Sequence, residues 1–387
     1  MIYSLVLISM VSLFLSGSLY TTDNFRFLQP YLLIGSCSII LIIALVTKID
    51  KIRLDLTAFI LFLIFVFLSI ISSVIHSSFE LLSGVLVLLF IYISLIVLLP
   101  NFRFKVEKFI IPSLMIGHIP IILFPLLFME MKTRSYSGIF YNPNSFGVVV
   151  VVLFATILAK FTFILENHFM GLQIKKIKIW GYTLTLSICF FLIIISSSRT
   201  SALAAILLLV TCMFFLFKKS YKNSKIQLKY AKKFASLVML LLFLIVPVLM
   251  FTPISDLIFE SLIEKFIRKS NDILDGRLYV WYRTISEIQI FGHGRDYFTT
   301  LGLGAHNTFI SILGQYGLLP LLFFILFLGR ILRNSLKILR FRTDENKYLA
   351  FISIFLFLIL SMAEGMMLKT SMLLMFSTAG FITKADS

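Results

Sequence analysis

The chain has 387 residues, of which 59% are hydrophobic and only 14% are charged. A soluble domain usually carries roughly 25% charged residues, so this composition, with a mean hydropathy of +1.02, excludes a soluble protein. A net charge of +17 would suggest nucleic-acid binding in a soluble protein, but here the basic residues are sorted along the chain as membrane orientation requires, and no nucleic-acid partner is expected.

Long apolar runs follow one another along the chain, and a helix needs about 20 apolar residues to cross the hydrocarbon core. The runs are continuous and do not alternate, and only helices or closed barrels cross a bilayer, so each run is predicted to be a helix. The predicted spans are 2–20, 28–47, 55–76, 79–100, 108–129, 145–165, 179–197, 200–217, 234–252, 306–329, 347–363 and 366–383. The sequence therefore predicts an all-α polytopic membrane protein with about 12 transmembrane helices.

Basic residues are concentrated in alternate loops between these spans. The rich loops hold Lys48, Lys51 and Arg53; Arg103, Lys105 and Lys108; Lys175, Lys176 and Lys178; seven lysines between Lys218 and Lys233; and six basic residues from Arg330 to Lys347. The loops between them are poor in Lys and Arg. By the positive-inside rule the rich loops are cytoplasmic, so we expect a multi-pass protein of the cytoplasmic membrane with both termini inside.

One predicted outer loop, residues 253–305, is too long for a simple connection, and long loops are often functional. It divides the chain into spans 1–9 at 1–252, this extracytoplasmic loop, and spans 10–12 at 306–387. Within it, one set of apolar side chains repeats at helical spacing opposite a polar set: Leu278, Trp281, Tyr282, Ile285 and Ile288 against Arg277, Thr284 and Glu287. The pattern predicts an amphipathic helix that lies flat on the outer membrane surface or roofs a cavity between spans.

No metal or disulfide framework is indicated. Cys37, Cys189 and Cys212 all lie inside apolar runs, without CxxC spacing and without nearby histidines. The outer loops show no carboxylate cluster with metal-ligand spacing. We therefore expect neither a metal nor another cofactor.

Two outer segments before spans six and eight carry polar residues that orientation does not require. Asn142 and Asn144 lie in an Asn-Pro-Asn-Ser turn, which suits either a helix N-cap or a substrate contact. Arg199 lies in the short Ser-Ser-Arg-Thr hairpin between spans seven and eight. It either snorkels to the membrane surface or binds a ligand at the outer rim.

Two further segments lie in the long outer loop. Arg277 begins the amphipathic helix and has Trp281 one turn further on, so it either faces solvent or binds an anion. His293 lies between two glycines, and His306 and Asn307 stand where the loop meets span ten. A lone histidine is usually structural, but histidine is also the side chain best placed to accept a proton near neutral pH.

Taken together, two arginines and a histidine are predicted at one membrane face. Arginine is the preferred side chain for phosphate, because its planar fork binds two oxygens at once. The combination indicates a site that handles phosphate without a divalent ion.

The order of these motifs resembles the bacterial O-antigen ligase and polymerase family. The resemblance is carried by Gly276-Arg277, Trp281, Gly292-His293-Gly294, Ala305-His306-Asn307-Thr308 and Gly314-Gln315-Tyr316-Gly317-Leu318, with the Asn-Pro-Asn and Ser-Ser-Arg-Thr segments upstream. It covers the topology throughout, and sequence-specific similarity over about 135–210 and 270–325.

The resemblance implies an enzyme that moves a glycan from an undecaprenyl-pyrophosphate carrier to an acceptor hydroxyl outside the cytoplasmic membrane. It implies that His306 is the general base or orients the acceptor, and that Arg199 and Arg277 hold the pyrophosphate. Asn142, Asn144, Trp281, His293 and Asn307 are the expected substrate-binding residues. A flippase and a chain-length regulator are the implied partners, beside the lipid-linked oligosaccharide and membrane lipid.

Three functions remain open from the sequence. We favour a polymerase of capsule or O-antigen repeat units, because the modest outer loop and the many lysines resemble those of capsule polymerases from Gram-positive bacteria. A ligase that transfers the finished glycan to a terminal acceptor is the alternative within the same family. A lipid-linked sugar transporter is disfavoured, because no internal repeat and no charged residues in mid-span are visible, and a non-enzymatic scaffold would not require the arginine–histidine grouping.

Overall fold

A computed structural model of the chain describes residues 2–22, 24–47, 49, 52–102, 104–128, 135–170, 172–220, 277–341 and 346–383. All regular elements in these ranges are helical, apart from an isolated bridge between Thr22 and Phe140. Nine of the described helices are long and apolar enough to cross a membrane, and two more are shorter and apolar. The predicted all-α polytopic membrane protein is confirmed. Span nine, at 234–252, and residues 253–276 of the long loop lie outside the described residues.

The first eight described helices follow the predicted spans closely. They are α1 (Ile2–Leu19), α2 (Gln29–Thr47), α3 (Leu56–Ile75), α4 (Phe79–Tyr92), α5 (Glu107–Phe128), α6 (Pro143–Phe169), α7 (Lys176–Ile195) and α8 (Arg199–Ser220). After the gap come α9 (Arg277–Ser286), α10 (Tyr297–Thr300), α11 (Thr308–Gln315), α12 (Leu318–Phe341), α13 (Asn346–Ser361) and α14 (Thr370–Thr383). A π-helical segment, Ile93–Leu98, continues α4 toward the next loop.

Helix α6 is the central helix of the bundle. Its apolar window is 89% buried, whereas no other candidate span exceeds 50%. It packs against α5, α7, α8 and α13. A helix that is apolar all round is expected in such a position, and the run of five valines at 148–152 supplies that surface. Because α6 is surrounded by other helices, its N-terminus lies near the centre of one end of the bundle.

The tenth span begins later than the sequence suggests. The prediction placed it at 306–329, but residues 308–315 form the separate short helix α11, and the long helix α12 begins at Leu318. Gly317 separates them with a φ of +103°, and a Cβ at this position would lie 2.3 Å from the Ile290 carbonyl oxygen. The residues of α11 are apolar, as at the start of a membrane span, but the turn at Gly317 ends this helix before α12 begins.

The predicted amphipathic helix is present as α9, but its apolar side is turned outward. Val280 and Thr284 are fully buried, and Arg277 precedes them on the same face. Leu278 and Tyr282 on the other side are more than half exposed. The sequence left open whether Arg277 faces solvent or binds a ligand, and in the structure it lies on the buried face of the helix. In a membrane protein the apolar side of a surface helix can contact lipid, so the polar side is free to face the protein.

The described loops gather at two ends of the bundle, as a serpentine membrane topology requires. At one end, Arg330 of α12 pairs with Asp55 before α3, with Nε 2.6 Å from Oδ2. At the other end, the last turn of α3 meets the segment between α9 and α10, where the Ser72 hydroxyl donates to the Phe291 carbonyl at 2.7 Å. The end that holds Phe291 is here called the outer end; its sidedness stays a prediction from the basic residues.

We expect an impermeant thiol reagent to distinguish the two ends in intact cells. With the three buried native cysteines replaced, Thr299→Cys should be labelled from outside, and Lys176→Cys should be labelled only after permeabilisation. Both positions are exposed in the structure, and the basic loops place Lys176 in the cytoplasm. Labelling of position 176 alone in sealed cells would invert the orientation.

Candidate active site

The described polar segments predicted to face outward all lie at the outer end. The turn before α6 joins the end of α1, because the Tyr141 backbone N–H donates to the Thr21 carbonyl at 3.1 Å. The 196–201 turn packs on the first turns of α6, where a Cβ on Gly147 would lie 2.6 Å from the Ser198 Cβ. The long loop reaches the same end through the turn at 362–369 between α13 and α14, as the following contacts show.

Arg277 begins α9 and reaches this 362–369 turn. Its Nη1 donates to the Ala363 carbonyl at 3.0 Å, and its Nη2 lies 3.8 Å from Oε1 of Glu364. The burial of Val280 and Thr284 fixes the face of α9 on which Arg277 stands. The predicted phosphate-binding arginine is thus tethered by one edge of its guanidinium group.

His306 lies on the other side of the same carboxylate. Its Nδ1 is 3.5 Å from Oε2 of Glu364, and half of its side chain (49%) is exposed. Its φ is +44°, in the left-handed region where residues other than glycine are uncommon, although histidine is enriched among the exceptions. Such a backbone conformation persists only where the surroundings hold it, and it is concentrated at functional sites.

The residues after His306 hold its segment in place. The Asn307 Oδ1 accepts the backbone N–H groups of Phe309 and Ile310, which caps α11, and its Nδ2 donates to the Met362 carbonyl at 3.0 Å. The Thr308 hydroxyl donates to the Glu364 carbonyl at 3.0 Å. Asn307, predicted to bind substrate, therefore lies beside His306 but uses its side-chain amide within the protein.

The two asparagines before α6 have different positions. Asn142 is the N-cap of α6, because its side chain accepts the backbone N–H of Ser145 at 2.8 Å. Asn144 points to the site: its Nδ2 lies 3.4 Å from Oε1 of Glu364. Of the two alternatives that the sequence left open for this turn, the N-cap accounts for Asn142, and Asn144 joins the Glu364 group.

Arg199 begins α8 in the turn that packs on Gly147. Gly147 lies about 5 Å along α6 from Asn144, given the helical rise per residue. Arg199 is therefore linked to the Glu364 group through the first turns of α6, at the same end of the bundle. The structure does not bring Arg199 into the set of residues that contact Glu364 directly.

His293 and Trp281 both contact the loop itself. His293 Nε2 lies 2.7 Å from the Glu287 carbonyl, and its ring stacks on Tyr297 with centroids 4.3 Å apart. The Trp281 Nε1–H donates to the carbonyl of Ala305 at 2.8 Å, directly before His306. Trp281 thus helps to position the His306 segment. His293 does not contact that segment through Nε2, because this nitrogen contacts the Glu287 carbonyl.

Glu364 is the residue that sequence reasoning missed. It is not among the predicted site residues, yet it contacts Arg277, His306 and Asn144. Its side chain is only 12% exposed. Its position in the sequence could have identified it, because Glu364 is a carboxylate flanked on both sides by apolar residues at a membrane surface. An ionisable residue in such a place is a candidate functional residue on physical grounds alone.

A second cation stands near this carboxylate. Burial lowers the pKa of the Lys369 ammonium, and the nearby Glu364 carboxylate opposes that shift. The described group therefore combines two cations, one carboxylate and a half-exposed imidazole. Such a group suits a pyrophosphate bearing more than one negative charge, next to a side chain that can accept a proton. Among the described residues, no three His, Cys, Asp or Glu side chains form a group that could hold a metal ion.

Residues 184–325 match the family model described as O-antigen ligase. The matched segment contains Arg199, Arg277 and His306, whereas Asn144 and Glu364 lie outside it. A search of curated proteins found no match. This match supports the resemblance seen in the sequence, and over residues 184–325 the chain is similar to the O-antigen ligase family.

Proposed function

We propose that the protein is a membrane glycan polymerase that transfers undecaprenyl-pyrophosphate-linked oligosaccharide chains onto lipid-linked repeat units during surface polysaccharide synthesis. The observation that carries the proposal is the convergence of Arg277 and His306 on one turn at the outer end, 3.8 Å and 3.5 Å from the two oxygens of Glu364. A phosphate-binding fork and a proton acceptor at one membrane face are the two groups that such a transfer needs.

The chemistry assigns a role to each group. An acceptor hydroxyl attacks the anomeric carbon of the donor sugar while the bond from that carbon to the pyrophosphate oxygen breaks. Arg277, together with Arg199 at the same end, stabilises the negative charge that develops on the leaving pyrophosphate. His306 accepts the hydroxyl proton, a contribution typically worth about 10²–10⁴-fold in rate.

Asn144 completes the proposed donor side, and Asn142, Trp281, His293 and Asn307 support it. Asn144 shares Oε1 of Glu364 with Arg277, so its amide is placed to contact the same ligand. Asn142 caps α6, and Asn307 and Trp281 hold the His306 segment. His293 contacts the Glu287 carbonyl and the Tyr297 ring within the same loop.

A ligase is the second candidate, because the matching family model is described as O-antigen ligase. The two reactions share the donor and differ in the acceptor. Purified protein given only lipid-linked repeat units should produce a ladder of longer lipid-linked chains if it is a polymerase. A protein that leaves these units unchanged and transfers them only to a different terminal acceptor is a ligase. In cells, a flippase and a chain-length regulator are the proposed partners.

We expect the transfer to be independent of divalent metal. Purified protein should extend lipid-linked repeats at an undiminished rate in excess chelator, since Arg199 and Arg277 can neutralise the pyrophosphate charge without an ion. Loss of activity that only magnesium or manganese restores would contradict this expectation. It would direct attention to Asp256, Asp272 and Asp275, which lie outside the described residues.

A further inference from the structure

The Glu364 side chain stands between the two groups to which the proposed reaction assigns the chemistry. Its Oε2 faces Nδ1 of His306 at 3.5 Å, and its Oε1 faces Nη2 of Arg277 at 3.8 Å and Nδ2 of Asn144 at 3.4 Å. The proton acceptor and the phosphate-binding arginine thus share one largely buried carboxylate.

The backbone around Glu364 is joined to the backbone around His306. The Thr308 hydroxyl donates to the Glu364 carbonyl at 3.0 Å and accepts the Met366 backbone N–H at 2.9 Å. Asn307 donates to the Met362 carbonyl. Three consecutive residues, 306–308, therefore contact the 362–366 turn, although 58 positions separate the two segments. These hydrogen bonds between the two segments hold Glu364 and His306 in a fixed relative position.

The other ring nitrogen of His306 is open. Within the described residues Nε2 makes no hydrogen bond, and Gly304 presents no side chain to it; a Cβ built there would lie 3.5 Å from Nε2. A carboxylate on Nδ1 of a histidine fixes the tautomer, so that the proton stays on Nδ1 and Nε2 carries the lone pair. A base that is oriented in this way by a third group is the general arrangement of activated sites.

We propose that Glu364 is a positioning residue for the glycan transfer, holding the His306 imidazole with Nε2 toward the acceptor hydroxyl; this rests on the proposed function. The new bond forms between the acceptor oxygen and the anomeric carbon, and the bond from that carbon to pyrophosphate breaks. The pyrophosphate leaves with the electron pair toward Arg277, and the hydroxyl proton goes to Nε2. The resulting imidazolium is stabilised by the Glu364 carboxylate.

The test compares three substitutions in the purified full-length protein with lipid-linked repeat units as substrate. Glu364→Gln keeps the size of the side chain and removes its charge, and we expect it to lower kcat on the order of a hundredfold. The KM for the donor should change less than twofold, and thermal unfolding in detergent should be unaltered. Glu364→Asp, which keeps the carboxylate, should recover part of kcat. Glu80→Gln is the matched control: Glu80 is an exposed outer-end carboxylate paired with Arg295 at 2.5 Å, and its loss should change nothing.

The pattern of the kinetic constants decides the outcome. Wild-type kcat in a folded Glu364→Gln protein would overturn the proposal, and so would a raised KM at unchanged kcat, which would assign Glu364 to donor binding. In a His306→Ala background, Glu364→Gln should cause no further loss in the residual rate, because a residue that acts through His306 has nothing left to position. Full activity of the His306→Ala protein would instead remove the proposed function itself, whatever the result at Glu364.

Discussion

Replacing His306 with alanine is expected to abolish chain elongation while the protein remains inserted in the membrane. The imidazole is half exposed and contacts only the Glu364 carboxylate among the described side chains, so its loss removes little packing. The loss of a general base is expected to lower the rate of transfer by about 10²–10⁴-fold. The measurement is the length of the surface polymer on a gel, from cells that carry each variant at a matched level of membrane protein.

His293→Ala is the matched control for this result. It removes the same chemical group from the same loop, but a group whose Nε2 already contacts the Glu287 carbonyl and whose ring stacks on Tyr297. Its effect should follow the amount of folded protein, with polymer length close to that of wild type once protein level is matched. Normal polymer from His306→Ala together with none from His293→Ala would show that the base has been assigned to the wrong histidine.

Arg277→Lys is expected to impair transfer severely although it keeps the positive charge. A lysine ammonium lacks the planar fork, so it cannot reach the Ala363 carbonyl with one edge and two phosphate oxygens with the others. Loss of one donor at a developing negative charge typically costs about 10²–10³-fold in rate, and we expect an effect of that order on kcat/KM for the lipid-linked donor.

Arg283→Lys on the same helix provides the comparison. Arg283 is exposed, and it contacts Glu287 and Tyr279 on the surface of α9. The substitution should leave kcat/KM within twofold of the wild-type value. Equal activity of Arg277→Lys and wild type would mean that Arg277 contributes only charge, or that the pyrophosphate binds elsewhere at the outer end.

The class of protein and most of its span positions could be predicted from the sequence. Hydropathy is a local property, because each apolar run meets lipid or other helices wherever it is placed, so the first eight helices begin and end near the predicted residues. The start of the tenth span could not be placed in the same way. The residues of α11 are as apolar as a span, and only the left-handed turn at Gly317 separates them from α12.

The partners of the site residues depended on tertiary structure. Arg277 and His306 were identifiable from residue type, order and topology, because the chemistry of phosphate and proton transfer limits the choice of side chains. Their shared partner Glu364 was not identifiable from the sequence, because it lies 58 residues beyond His306. The two residues come into contact only through the packing of α13 and α14 against the rest of the bundle.

The sequence by itself determined that this is a helical membrane protein with similarity to the O-antigen ligase family over residues 184–325, and it singled out His306 and Arg277. Tertiary structure alone decided that Arg277 lies on the inward face of α9 and that one carboxylate joins it to His306. The physical reason is that hydropathy specifies whether a side chain avoids water and does not specify whether it meets lipid or protein. In a membrane both environments are apolar, and only the packing of neighbouring helices distinguishes them.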